Sequence, residues 1–129
     1  MARTCCLAAI DPAEIPLLEA ALKGAGGPAF STLSRLDVVD IAKIAPNILI
    51  ADVDELDVDP LEMLRRLRFV LPECVIVVYT SGRKLSWARA CHLTGVNCLL
   101  SKGSSEAQLT TGLRRAMLSG CYTDPLLAG

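Results

Sequence analysis

Aromatic residues are scarce in this sequence, and it has no long apolar run and no large excess of charge of either sign. Phe, Trp and Tyr make up 4% of its 129 residues. The longest apolar runs, such as residues 74–79, fall far below the roughly 18 to 20 residues that a membrane span needs. Because 13 Lys and Arg stand against 14 Asp and Glu, we expect a soluble protein without a basic surface for nucleic acid. The arginines within 65–68 and 114–115 are predicted to lie on solvated helix faces.

Cysteine pairs with the spacing of metal ligands are also absent. The six cysteines stand at positions 5, 6, 74, 91, 98 and 121, and none forms a C-x-x-C pair. A small secreted protein with six cysteines could carry a disulfide framework. However, Asp11 and Pro12 interrupt the apolar start of the chain before the core of a signal peptide could form. The sequence thus predicts a cytoplasmic protein whose reduced cysteines are mostly buried as small apolar residues.

The chain is rich in apolar residues, and strand-type and helix-type patterns alternate regularly along it. Hydrophobic residues make up 52% of it and charged residues 21%, which is typical of one globular domain with a large core. Apolar runs of strand type alternate with segments of helical periodicity, and no hairpin signal separates them. The predicted strands are 5–10, 30–36, 47–52, 74–79 and 96–100, and the predicted helices pass through 15–22, 38–44, 61–67, 85–93 and 105–117.

This alternation predicts the fold class. Five βα units without a hairpin favour an α/β protein with a doubly wound, five-stranded parallel sheet, covered by helices on both faces as in flavodoxin-like folds. The continuous apolar run 47–52 suits a strand buried on both faces of a parallel sheet, and the run 74–79, almost wholly β-branched, is the strongest predicted strand. In such folds, ligands and chemistry lie at the carboxyl ends of the strands.

Four polar residues end or follow predicted strands, and their chemistry forms a set. The carboxylate of Asp52 can accept a phosphoryl group, and that of Asp11 can help to hold Mg²⁺. The hydroxyl of Thr80 and the ammonium of Lys102 can each bind a phosphoryl oxygen. Taken one at a time, none of these residues is specific for such a site.

Each of the four also has a structural alternative. Asp11 could cap the first helix, although Pro16 would then fall at the fifth helical position, where it lacks a needed N–H. Asp52 could be a structural carboxylate paired with Lys102, because an unpaired buried carboxylate is costly. Thr80 could be a β-branched strand end, and Lys102 could be a surface lysine.

Three segments resemble the receiver domains of bacterial two-component response regulators. Residues 48–62, ILIADVDELDVDPLE, resemble the third strand and loop of that family, with Asp52 as the phospho-acceptor. Residues 75–81, VIVVYTS, resemble the fourth strand with its switch hydroxyl, and residues 95–109, GVNCLLSKGSSEAQL, the fifth strand with its phosphate-binding lysine. The tail 113–125, LRRAMLSGCYTDP, is similar to receivers that precede a helix-turn-helix DNA-binding domain of the LuxR type.

The resemblance implies a signal-transduction domain rather than an enzyme. Asp52 would take a phosphoryl group from a partner sensor histidine kinase, and Mg²⁺ would be held by Asp11, Asp52 and the backbone carbonyl of Asp54. Residues 1–125 would form the receiver domain, and residues 126–129 a tail or the start of a linker. DNA would be contacted only through an output domain outside this chain, and a homodimer is left open.

The output surface would be the face formed by the fourth helix, fifth strand and fifth helix, around Trp87, Leu99 and Arg114. Here the sequence departs from the family pattern, because Leu99 replaces the usual aromatic switch residue. Receivers also normally end the first strand with two acids, whereas this chain has Ile10 and Asp11. We therefore expect weak Mg²⁺ binding and a small structural response to phosphorylation.

Two other functions stay open. The first is a pseudo-receiver, an interaction module of the same fold that works without phosphate; the departures favour it, whereas the retention of Asp52, Thr80 and Lys102 favours a phosphorylated receiver. The second is an enzyme, because Asp52-Val53-Asp54 looks like the Asp-x-Asp opening of haloacid-dehalogenase-type phosphatases. That family places the motif on its first strand, whereas here it follows the third predicted strand.

Overall fold

The computed structural model describes residues 3–82 and 84–128, and the strands in these residues form a parallel sheet. Its strands lie side by side in the order β2-β1-β3-β4-β5-β6, and all neighbours pair in parallel. The strands are β1 (Cys5–Ala8), β2 (Phe30–Leu33), β3 (Ile48–Asp52), β4 (Val75–Thr80), β5 (Cys98–Ser101) and β6 (Tyr122–Thr123).

Helices connect successive strands and cover both faces of the sheet. The α-helices are α1 (Ile15–Gly24), α2 (Val38–Ile44), α3 (Pro60–Val70), α4 (Leu85–Leu93), α5 (Glu106–Ser119) and α6 (Pro125–Ala128). A short 3₁₀ helix, Pro12–Glu14, precedes α1. The start of α5 is a capping box in which the Ser105 hydroxyl accepts the Gln108 N–H and the Gln108 side chain accepts the Ser105 N–H.

The buried apolar residues form one cluster on each face of the sheet. Consecutive strand residues point to opposite faces, so Leu49 joins the cluster beneath α2, α3 and α4, while Ile50 joins the cluster beneath α1 and α5. Four of the five residues of β3 and five of the six residues of β4 are buried. Burial on both faces explains why these strands have continuous apolar sequences.

A sixth strand corrects the predicted count of five. After α5, Gly120 adopts a left-handed conformation with φ 75°, and the chain turns back along the sheet. Cys98 then pairs with Tyr122, and Leu99 with Thr123, to form β6. A strand of two residues is too short to produce a periodic apolar pattern. The doubly wound parallel α/β class predicted from the sequence is otherwise confirmed.

The segment that follows α5 packs against the core. Leu127 in α6 is fully buried in the same cluster as Leu99, and α6 contacts both α4 and β5. The carboxylate of Asp124 is fully buried and accepts hydrogen bonds from the Ser104 hydroxyl and the Leu126 N–H. This segment therefore covers β5, and Leu99, predicted to lie on the output surface, is not exposed.

None of the helices in the described part of the chain is both long enough and apolar enough to cross a lipid bilayer.

Candidate functional site

The carboxyl ends of β3, β4 and β5 bring three of the predicted site residues to one edge of the sheet. Asp52 is the last residue of β3, Thr80 is the last residue of β4, and Lys102 directly follows β5. The Lys102 Nζ lies 2.6 Å from Asp52 Oδ2. Since β3 pairs with β4 and β4 with β5, the topology alone makes these three strand ends neighbours.

The ammonium of Lys102 is shared by two carboxylates. Its Nζ lies 3.0 Å from Asp54 Oδ2 in addition to its contact with Asp52, and its side chain is 23% exposed. Burial by itself would lower the pKa of Lys102, but the hydrogen bonds and charges of Asp52 and Asp54 outweigh it and raise the pKa above its ordinary value of 10.5. The lysine is therefore charged at neutral pH and compensates part of the local negative charge.

The carboxylate of Asp52 has a partner for each oxygen. Oδ2 pairs with Lys102, and Oδ1 accepts the backbone N–H of Asp54 at 2.9 Å. The side chain is 12% exposed, so the partners are needed to offset the loss of hydration. This geometry is compatible both with a reactive carboxylate and with the structural pairing to Lys102 that the sequence leaves open.

The side chain of Asp54 is the part of the site that the sequence analysis missed. Its Oδ1 accepts the Thr80 hydroxyl at 2.6 Å. Its Oδ2 accepts the Ser81 N–H at 2.8 Å, the Ser81 hydroxyl at 2.9 Å and the Lys102 ammonium at 3.0 Å. The sequence assigned only the backbone carbonyl of this residue to the site. The available signal was an acidic side chain two positions after Asp52, which the sequence motif connects only with a phosphatase family.

The environment of Asp54 keeps its carboxylate ionised. Burial by itself would raise the pKa, but hydrogen bonds from Thr80, Ser81 and Lys102 outweigh burial and lower the pKa below its ordinary value of 3.8. The side chain is 17% exposed. The site therefore holds two carboxylates and one ammonium, which leaves it with a net negative charge.

Thr80 and Trp87 form the wall of the site on the side of α4. The Thr80 side chain is fully buried, and its oxygen accepts the Gly82 N–H at 3.0 Å. The Trp87 indole lies so close to Gly82 that a Cβ at residue 82 would be only 2.7 Å from Trp87 Cδ1. Its buried indole N–H has no hydrogen-bond partner among the described residues. A cavity of about 270 Å³ lies between these residues and Asp54.

A second groove opens on the other side of Asp52. Its volume is about 420 Å³, and its walls come from the loop after β3 and from the loop after β2. Arg35 contributes a cationic side chain, and Ala9, Leu56 and Met63 contribute apolar surface. Asp52 itself lines this groove, so a reacting group can approach the carboxylate from this side.

Of the predicted metal ligands, Asp11 has a second role in the described structure. Asp11 is exposed, and its Oδ1 accepts the Ala13 N–H and caps the 3₁₀ helix, while α1 begins only at Ile15. Ile10 is 7% exposed and packs in the cluster beneath α1 and α5. No three His, Cys, Asp or Glu side chains within residues 3–82 and 84–128 form a group that could hold a metal ion. The predicted Mg²⁺ ligands are two carboxylates and one backbone carbonyl, which are oxygen ligands of the kind that Mg²⁺ prefers, so weak binding by this smaller set stays a prediction.

The six cysteines are free thiols in the structure. Five of them are buried, and Cys121 is exposed. His92, next to Cys91, contacts the Val96 carbonyl through Nδ1 and the Thr123 hydroxyl through Nε2. Through these contacts the His92 ring links α4 to the loop before β5 and to β6.

The fold is similar to that of solved receiver-domain structures. No protein-family model matches the sequence, and no curated protein matches it. The receiver domain of RcsB from Salmonella enterica serovar Typhimurium, solved with the phosphomimetic BeF₃⁻, has a TM-score of 0.80 and 15% identity over 99% of this chain and 97% of that chain. A LuxR-family response regulator from Aurantimonas sp. SI85-9A1 has a TM-score of 0.78 and 18% identity over 99% of this chain and 94% of that chain.

A CheY-like receiver domain protein from Methanospirillum hungatei JF-1 is also similar, with a TM-score of 0.70 and 15% identity over 91% of this chain and 94% of that chain. At these identities the likeness concerns the fold. The protein therefore has the fold of response-regulator receiver domains, and the resemblance expected from its sequence motifs is confirmed at that level.

Proposed function

We propose that this protein is a signal-transduction receiver whose Asp52 accepts a phosphoryl group from a partner sensor histidine kinase. The observation that carries the proposal is the ammonium of Lys102, 2.6 Å from Asp52 Oδ2, at the shared edge of three strands. Thr80 lies at the same edge, and Asp52 lines an open groove. A nucleophilic carboxylate, a cation and a hydroxyl donor are the groups that phosphoryl transfer to an aspartate needs.

In the proposed reaction one bond to phosphorus forms and another breaks. An oxygen of Asp52 attacks phosphorus, the bond between phosphorus and the kinase's histidine nitrogen breaks, and that nitrogen keeps the electron pair. Lys102 and Thr80 would neutralise charge on the phosphoryl oxygens in the transition state and in the product. Weak Mg²⁺ binding by Asp11, Asp52 and the carbonyl of Asp54 stays a prediction.

The output of the switch is part of the same proposal. We infer that the domain regulates an attached or partner output, in transcription, and that any contact with DNA is made by a separate output domain. A cytoplasmic location and the absence of catalytic turnover are proposed with it, and a homodimer is left open. The domain boundary at residue 125 stays a prediction; α6, which crosses it, packs Leu127 into the core.

The pseudo-receiver is the second candidate, favoured by one observation. Asp54 already occupies the donors Thr80, Ser81 and Lys102, so the site is filled without phosphate. A phosphatase of the haloacid-dehalogenase type is disfavoured, because an ionised Asp54 held by Lys102 is a poor general acid.

The experiment is phosphorylation by a small-molecule donor. The parent protein, Asp52→Asn and Asp57→Asn are incubated with phosphoramidate and Mg²⁺, and the intact mass is measured before and after acid treatment. Asp57 is an exposed acid on the same loop, so its variant controls for the loss of one charge. We expect one acid-labile phosphoryl group on the parent and on Asp57→Asn, and none on Asp52→Asn. Labelling of Asp52→Asn, or no labelling of the parent, would overturn the proposal.

A further inference from the structure

We propose that the carboxylate of Asp54 is an internal substitute for a phosphoryl group, and that a phosphoryl group on Asp52 must displace it. The second half of this inference rests on the proposed function. The first half rests on contacts alone, namely four hydrogen-bond donors from β4, the residue after it and Lys102 that converge on two carboxylate oxygens.

The donors around Asp54 have the composition of an oxyanion site. A hydroxyl, a backbone N–H, a second hydroxyl and an ammonium approach within 2.6 to 3.0 Å. Donors of this kind bind phosphate and carboxylate oxygens through short, charge-assisted hydrogen bonds. Here the chain itself supplies the anion. The Asp54 N–H donates to Asp52 Oδ1, and this hydrogen bond fixes the backbone from which the Asp54 side chain projects.

Asp54 is distinguished from the other acids on its loop. Its side chain is 17% exposed and bound by donors from three residues. As whole residues Asp54, Glu55 and Asp57 are all exposed, so the contacts of its side chain are what set Asp54 apart, while Asp59 caps α3 through the Leu61 N–H. Random placement of a solvated loop acid would not produce four contacts to donors at the ends of two other strands.

Two anions cannot use these donors together. Thr80 has one hydroxyl proton, and the Ser81 backbone has one N–H, so each serves one acceptor well at a time. Lys102 has three protons, of which two already point at Asp52 and Asp54. A phosphoryl group on Asp52 would also be repelled by an ionised Asp54 nearby. Asp54 must therefore leave these donors before a phosphoryl group can take them.

Removing the Asp54 carboxylate should open the site to external anions. Two or more charge-assisted hydrogen bonds then become available, so phosphorylation of Asp54→Ala by phosphoramidate should be faster than that of the parent by about tenfold or more. Asp54→Asn keeps a weaker, neutral acceptor and should lie between the two. Asp57→Ala, which removes the same charge from the exposed part of the loop, should react at the parent's rate.

A second measurement separates this inference from the proposed function. Inorganic phosphate is titrated against the parent, Asp54→Ala and Asp57→Ala, all in an Asp52→Asn background in which no covalent transfer to residue 52 can occur. The fluorescence of Trp87, the single Trp of the sequence, reports binding because its indole lines the cavity beside Thr80 and Asp54. Backbone amide shifts of Ser81 provide a readout that does not depend on the indole. Circular dichroism checks that each variant is folded.

The outcomes are distinct. Phosphate binding that is about tenfold tighter in the Asp54→Ala background, and unchanged by Asp57→Ala, supports the inference even if no variant is ever phosphorylated on Asp52. Equal phosphate affinity for parent and Asp54→Ala backgrounds overturns it, even if Asp52 is phosphorylated normally. Tighter binding in both the Asp54→Ala and Asp57→Ala backgrounds also overturns it, because general charge then explains the effect.

Discussion

The guanidinium of Arg68 donates to the Asn97 side-chain oxygen at 2.7 Å and joins α3 to the chain that enters β5. Arg68 also donates to the carbonyls of Leu71, Cys74 and Gly95. The same Asn97 oxygen accepts the Ile76 N–H at 2.9 Å. One side chain thus satisfies carbonyls at the end of α3 and in two separate connections, at the edge of the sheet opposite to Asp52.

We expect Arg68→Ala to lower the free energy of unfolding by about 2 to 4 kcal/mol, because several partly buried carbonyls lose their donor. Arg68→Lys should recover little, since an ammonium lacks the planar array of donors. The control is Arg66→Ala, whose side chain is 67% exposed and 3.6 Å from Glu62, and which should cost about 0.5 kcal/mol or less. Urea denaturation measures all three. Equal losses for Arg66→Ala and Arg68→Ala would show that Arg68 does not stabilise the fold in this way.

Arg68 also shows where sequence reasoning stops. Its position opposite the leucines of α3 predicts a solvated arginine, and this is correct for Arg65 and Arg66, which are exposed and lie near Glu62. It is wrong for Arg68, because Gly95, at φ 103°, brings a carbonyl from another loop to within 2.7 Å of the guanidinium. Periodicity describes which face of a helix a residue occupies, not which loop approaches that face.

The same distinction applies to the site. The alternation of patterns predicts a parallel sheet whose strands end at one edge, so Asp52, Thr80 and Lys102 could be assigned to that edge from the sequence. The direction of the Asp54 side chain depends on the conformation of a loop, which has no periodic pattern. The short β6 was missed for the same reason, since Tyr122 and Thr123 are too few residues to form one.

Lys102→Met tests how far the site depends on its cation. The change leaves two largely buried carboxylates, Asp52 and Asp54, without an ammonium, so it should lower the free energy of unfolding by roughly 2 to 4 kcal/mol. Adding Asp54→Asn should restore part of the loss, because it removes one of the uncompensated charges. Thermal unfolding measures both variants, with exposed Lys84→Met as the control. A double variant less stable than Lys102→Met would contradict this account.

The cysteines should differ sharply in reactivity. Burial raises the pKa of Cys5, Cys74 and Cys91 to about 12, whereas Cys121 is exposed. Because the thiolate is the reactive form, we expect one fast thiol in the folded protein and six after denaturation. Ellman's reagent measures both, and Cys121→Ser should remove the fast phase. Fewer than the full set of thiols in denatured protein would show that a disulfide or another modification is present.

The chain after α5 should contribute to stability. Leu127→Ala removes a fully buried side chain from the cluster that contains Leu99 and should lower the free energy of unfolding by about 2 to 4 kcal/mol. Leu126→Ala, at a side chain that is 38% exposed, should cost less than about 1 kcal/mol. Chemical denaturation compares the two. Equally small losses would indicate that α6 is peripheral, as a domain boundary at residue 125 implies.

The last prediction concerns the residue that stands where receivers normally have an acid. Ile10 is 7% exposed in an apolar cluster, so Ile10→Asp should destabilise the protein by about 3 kcal/mol or more when Mg²⁺ is absent. If position 10 faces the site, the new carboxylate adds an oxygen ligand beside Asp11 and Asp52, and Mg²⁺ should bind more tightly by roughly 1 to 2 kcal/mol. Mg²⁺ should then raise the melting temperature of Ile10→Asp more than that of the parent, since a ligand that binds only the folded state stabilises it. Ile10→Asn, which is polar but uncharged, is the matched control. Equal responses of Ile10→Asp and Ile10→Asn to Mg²⁺ would mean that position 10 points only into the core and does not reach a metal ion.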